Sequence, residues 1–147
     1  MRKVFVHLHP DFSNELNQIF KLWNRSQTEI EFIGVVPQQE IEIQLLKAGM
    51  ISLTSATNYA KEIRNDNNGT YQDGIIVFTE KRLFTDVYYQ LFSGGTEREL
   101  TISLDFLRQL FPDNGKSPHI FFRVVLNIIL NAVFQSYGFT SHDDTRG

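Results

Sequence analysis

Arg2-Lys3-Val4-Phe5-Val6-His7-Leu8 and, past a break at Pro10 and Asp11, Glu29-Ile30-Glu31-Phe32-Ile33-Gly34-Val35-Val36 are the stretches on which the fold is read. In the first, Val4, Val6 and Leu8 alternate with Lys3, Phe5 and His7, the period of two that places β-branched residues on one face of a strand. The second is apolar on both faces at its far end and is stopped by Pro37. Between them Phe12, Leu16, Ile19, Phe20 and Trp23 fall at helical spacing, with Glu15 in the first turn, which predicts a helix over Ser13 to Asn24. A β-α-β opening of this kind predicts a parallel strand pair joined by a right-handed crossover.

Working outward, Ile41, Leu45, Leu46 and Gly49 fit a short helix closing on glycine better than the strand alternation of Ile41, Ile43 and Leu45. Ser55 to Arg64 reads as a capped helix carrying Tyr59, Ala60 and Ile63, and Asn65-Asp66-Asn67-Asn68-Gly69 as an exposed loop. Gly74 to Thr79 is the best candidate for a buried strand. Leu83, Phe84, Val87, Tyr88, Leu91 and Phe92 recur in helical pairs that Ser93-Gly94-Gly95 would end, and Glu99 to Leu104 reads as the strand that closes the sheet. Ser117-Pro118 and Gly138 frame a helix of about 20 residues, apolar round most of its circumference and so expected to be largely surrounded by protein. The expected fold is a single α/β domain over residues 1–147, in two or three layers: a mixed, mostly parallel sheet, flanking helices and a long buried C-terminal helix.

Composition narrows the function. The 147 residues hold 14 Lys and Arg against 17 Asp and Glu, and no cysteine. Thiolate metal sites, iron–sulfur clusters, Cys nucleophiles and disulfides are excluded, and the charge balance gives no footprint for nucleic acid. The apolar run from Ile120 to Phe134 contains Arg123, Asn127 and Asn131 and falls short of the roughly 20 residues a bilayer crossing needs. With no signal peptide at the start, a cytoplasmic protein is expected. Asn24-Arg25-Ser26 and Asn68-Gly69-Thr70 then read as chance acceptor patterns for glycosylation. Thirteen Phe and five Tyr exceed what one small core comfortably hides, which predicts an apolar surface for a protein partner or a second copy.

Several constellations can carry chemistry. Arg123, Asn127 and Asn131, four apart, stack as one polar ridge on the last helix, either facing solvent or flooring a pocket. His142 with Asp143, Asp144 and Arg146 can hold an ion or move a proton, or simply form a turn. His7 and His9, two apart on a strand, are expected on one face, where they would need a third ligand to hold a metal. Asn114-Gly115-Lys116-Ser117 resembles the tail of a phosphate loop, but Leu110 stands where its leading glycine belongs. Ser93 to Arg98 reads as a glycine loop or a plain turn.

The strand Ile75-Ile76-Val77-Phe78-Thr79 followed by Leu83-Phe84, the strand Leu100-Thr101-Ile102-Ser103-Leu104, and a long helix running into Gly138 and His142 give residues 74–147 an order of signals that resembles the metzincin-like, archaemetzincin-related minimal metallopeptidases. In that family a helix carries His-Glu-x-x-His and a third histidine follows a glycine turn. The resemblance implies that Asn127 and Asn131 stand at the two helix histidines and Ile128 at the glutamate, leaving neither zinc ligands nor a base. No metal, cofactor or catalytic residue is then expected. The ending from Gly138 to Gly147 resembles peptidase-like domains with a decayed zinc helix in bacterial multidomain proteins, some linked to defence against phage. There the segment continues into a cysteine-containing stretch, which makes this chain either a cut domain or one that has lost that part.

The resulting expectation is a noncatalytic peptidase-like regulatory or binding domain. It would act through a protein partner, a second copy, or a small anionic ligand or peptide held by Arg123, Asn127, Asn131, His142, Asp143, Asp144 and Arg146, with no role for nucleic acid or membrane. The rivals are a hydrolase using His142 with Asp143 or Asp144, as a metal site or acid/base pair, and a nucleotide sensor working at the carboxyl ends of a parallel sheet. Calorimetric titration with zinc and with peptides should show no tight zinc binding. Identical peptide traces for the wild type and for Asn127→Ala, His142→Ala protein would remove the ridge as a pocket floor.

Overall fold

The computed structural model describes residues 2–111 and 118–136. Strand β1 (Arg2–His7), helix α1 (Ser13–Ser26) and strand β2 (Ile30–Val35) form the opening unit, and β1 pairs with β2 in parallel from Arg2 opposite Ile30 to His7 opposite Val35. Helix α2 (Gln39–Leu46), strand β3 (Met50–Ser52), helix α3 (Leu53–Asp66) and strand β4 (Gly74–Thr79) follow. Strands β5 (Arg82–Phe84), β6 (Ser93–Gly95) and β7 (Glu99–Ser103) lead into helices α4 (Leu104–Leu110) and α5 (Pro118–Ser136). The main sheet runs β2-β1-β4-β7-β6; its first four strands are parallel and β6 is antiparallel, while β3 and β5 pair in a separate two-stranded ribbon.

Strand parity builds three layers. Val4, Val6, Ile76 and Phe78 pack against Phe12, Leu16 and Phe20 of the α1 region and against Val125, Ile129 and Val133 of α5. Their neighbours Phe5, Ile75 and Val77 point the other way, onto Leu45 of α2 and onto Ala56, Ala60 and Ile63 of α3. Strand β4 is buried along all six residues, as the middle of a sheet covered on both faces requires. The amide of Asn24 in α1 bonds both the N–H and the C=O of Phe32, satisfying outward groups of the edge strand β2. A Ser52 hydroxyl accepting from the Ser55 N–H starts α3.

Four expectations change. The stretch over 83–92 is not a helix: Leu83 is buried in the ribbon beside β3, Leu91 bridges back to it, and the Thr85 hydroxyl accepts from the Val87 and Tyr88 N–H groups to form a turn. Helical spacing needs a face to cover, and Val87, Tyr88 and Tyr89 lie exposed. Ser93-Gly94-Gly95, expected as a stop or a loop, is the edge strand, so β7 does not close the sheet. The polar run at 65–69 begins inside α3, which extends to Asp66, and turns at Asn68 with a left-handed φ of 63°. Finally, α5 is covered on one side: Val125, Ile129 and Val133 are buried, Arg123, Asn127 and Asn131 are exposed, and the residues between are half-buried.

One glycine is indispensable to the β6–β7 hairpin. Gly95 has φ +152°, and a Cβ there would come within 1.9 Å of the Glu99 carbonyl oxygen, whereas one on Gly94 would meet only the Leu53 side chain at 3.1 Å. Urea unfolding should show Gly95→Ala destabilised by about 1–3 kcal/mol or more, and Gly94→Ala by clearly less.

Candidate functional site

In the main sheet the chain moves from β1 outward to β2, then crosses back to β4 on the other side, so the order reverses between β1 and β4. Crevices at the carboxyl ends of strands flanking such a reversal are where open α/β sheets bind ligands. Here those ends carry His7, the last residue of β1, with His9 just beyond, and Thr79, the last residue of β4, with Glu80 just beyond.

Burial along β1 is continuous to His7, which is 0% exposed, and a turn follows in which the His9 N–H bonds the His7 carbonyl and the Phe12 N–H bonds the His9 carbonyl. That turn swings His9 onto Phe12, with stacked rings 4.9 Å apart, and edge-on to Phe78. Its Nε2 lies 2.8 Å from Glu80 Oε2, while Nδ1 accepts the Asp11 N–H at 3.0 Å, which puts the ring proton on Nε2. Glu80 also receives Arg108 of α4 as a two-pronged pair, Nε to Oε1 at 3.1 Å and Nη2 to Oε2 at 2.8 Å, and the same Nη2 reaches Asp11 at 2.7 Å. Behind them the Thr79 hydroxyl and the Glu80 N–H both donate to the Leu45 carbonyl, tying the end of α2 to the end of β4.

Burial by itself would raise the Glu80 carboxyl, but hydrogen bonds from His9 and Arg108, with the Arg108 charge, outweigh it and hold Glu80 at about 2. The bidentate bond to Glu80 keeps the Arg108 guanidinium still more firmly charged than usual. For His7, burial, reinforced by neighbouring His9, pushes the ring down to about 3. Its Nδ1 faces the Phe78 N–H at 3.3 Å, and its Nε2 lies 3.8 Å from Glu42 Oε2, beyond hydrogen-bond length.

His9, Asp11 and Glu80 each bring one ligand atom within 4.8 Å of the others, a separation compatible with a divalent ion. The donor set does not fit one as it stands. Arg108 bridges both carboxylates, and both His9 nitrogens are engaged. His7 and His9 do lie side by side, ring centroids 6.1 Å apart, but they serve different neighbours instead of a shared centre.

Of the residues expected to bind a ligand, Arg123, Asn127 and Asn131 do share one face of α5, and it is the exposed face, away from the sheet. His142, Asp143, Asp144 and Arg146 lie outside the described residues, as do the glycine at 138 and the loop at 114–117. A cavity of about 250 Å³ opens at the opposite, amino edge of the sheet, between Gly74, Thr96, Leu100 and Val133. It adjoins the buried Arg64–Glu99 ion pair and is remote from the histidines. No helix of the described residues is long and apolar enough to cross a membrane. Compared with known proteins, the chain matches no family model, no curated protein and no solved structure. The peptidase resemblance therefore rests on the sequence alone.

Acid should unfold this edge in two stages. His7 is neutral when folded and titrates at its ordinary 6.5 when unfolded, so the unfolded chain takes up the proton first. Its contribution is complete above pH 6.5 and is lost as pH falls toward 3, at up to about 1.4 kcal/mol per pH unit. Glu80 adds a second loss between 4.5 and about 2, because its folded carboxylate resists protonation. Chemical denaturation at stepped pH should show stability declining from 6.5 in the wild type, with His7→Asn, which keeps an acceptor for the Phe78 N–H, flat until about 4.5.

Proposed function

We propose that this chain is a noncatalytic, cytoplasmic binding domain that takes a small polar molecule at the carboxyl edge of β1 and β4. The single observation that carries the reading is the convergence of His7, His9, Thr79, Glu80 and Arg108 on the point where strand order reverses. Polar groups brought together at that position, three of the five buried, are hard to account for by packing, since each costs desolvation that aliphatic residues would avoid.

Binding is favoured over catalysis by how the imidazole is used. A carboxylate–imidazole pair acts as a base through the ring nitrogen that the carboxylate does not hold. In His9 that nitrogen accepts a backbone N–H, and the ring is 3% exposed against Phe12. The pair thus braces the turn, and Arg108 and Glu42, whose side chains are 40% and 25% exposed, are the groups a ligand meets. A peptidase-like ancestry and a partner protein remain compatible with this use of the edge, supported by sequence signals only.

Amide chemical shifts read during titration with nucleosides, sugars, amino acids and polyamines at millimolar concentration test the proposal. Responses should concentrate at residues 8–11, 79–81 and 108, and Arg108→Ala should weaken them about tenfold or more. Responses spread over the surface, or confined to the exposed face of α5, would reject it.

A further inference from the structure

Among the described residues, His7 is the one buried side chain at this edge whose hydrogen bonding is left half done. Its Nδ1 faces a backbone N–H, from Phe78, so the ring proton sits on Nε2. That nitrogen is fully buried, and among the described residues it has no hydrogen-bond partner. It points toward the Glu42 carboxylate, 3.8 Å away, on the first turn of α2. A buried donor without a partner costs about 1–3 kcal/mol, so a polar partner that completes it is favoured.

We propose that His7 and Glu42 form a seat for a hydroxyl group, and that the ligand of this edge is a sugar or a sugar-bearing molecule. The inference rests on the reading of the edge as a binding site and specifies what it binds. The chemistry follows from the pair. His7 Nε2 can only donate and the Glu42 carboxylate can only accept, so whatever stands between them must accept from one and donate to the other. A phosphate or carboxylate oxygen would accept from His7 but meet the negative charge of Glu42. An ammonium would suit Glu42 but turn its hydrogens on the His7 N–H. A hydroxyl does both; with Nε2 closed off and 3.8 Å from Glu42, it takes its place between them only once the Glu42 side chain has moved. Because the His7 ring stays neutral at any pH near 7, its donor is not exchanged for a charge that would draw an anion instead. Glu42 is the movable half, its side chain a quarter exposed, and the hydroxyl enters as that side chain swings outward.

The test reads the His7 ring directly by long-range proton–nitrogen spectra of the full chain, using D-ribose, adenosine and the adenosine analogue lacking both secondary hydroxyls as probes. The expected result is a proton on Nε2 in the free protein and a shift of that nitrogen with adenosine. Binding of the analogue, or of adenosine to Glu42→Ala, should be about tenfold weaker. A response to D-ribose as well assigns the seat to free sugars, and a response to adenosine alone assigns it to nucleosides. Equal binding of adenosine and its analogue would overturn the proposal, as would a proton on Nδ1. Probes that shift the Glu80 and Arg108 amides but leave His7 unmoved would overturn the hydroxyl seat alone. Silence at both places would overturn the hydroxyl seat, and silence with amino acids and polyamines as well would overturn the binding reading with it.

Discussion

Glu80 joins three parts of the chain: the turn after β1 through His9, helix α4 through Arg108, and, through its own N–H, the end of α2 at Leu45. A carboxylate partly removed from water is tolerated only when its oxygens are matched, and here the imidazole and the guanidinium match both. The carboxyl edge of the sheet is organised around that requirement. Pulling out either partner leaves a half-buried charge, so the site behaves as a unit in which no member can be exchanged alone.

The same edge separates two histidines that sequence spacing treats as equivalent. The sheet's pleat sends His7 with Phe5 toward the α2 and α3 layer, while the turn at Pro10 carries His9 to the α1 layer beside Phe12. One ring ends with both nitrogens engaged and the other with a buried donor to spare. Two identical side chains two residues apart thereby take different tasks, the first offering a hydrogen bond and the second holding the backbone in place.

Much of the scaffold was legible before any coordinates. The alternation in β1, the helical stripe of α1 and the apolar run of β4 each bury a face, and residues that bury a face repeat at the period of their element. Over 83–92 apolar residues at helical spacing are divided between a short ribbon and an exposed turn, and a three-residue strand is too short to show a period. The same lack of period hid β6, whose glycines look like a stop. Site residues were harder still. Glu80 and Arg108 carried no motif, being a lone acid after a strand and a lone base on a seven-residue helix. The ridge of Arg123, Asn127 and Asn131 stood out at once because a helix face is a local property, and it lies on the solvent side.

From the amino acids alone came an α/β chain with a parallel opening, a central apolar strand, a last helix with one polar stripe, and no thiol chemistry. These are matters of near-neighbour spacing, which a linear string records. Tertiary structure alone decided that β4 lies beside β1, so that positions 71 residues apart, His9 and Glu80, share a hydrogen bond and Arg108 closes on both Glu80 and Asp11. Strand order depends on which faces of separate elements bury one another best, a long-range sum to which no short stretch of sequence holds the key.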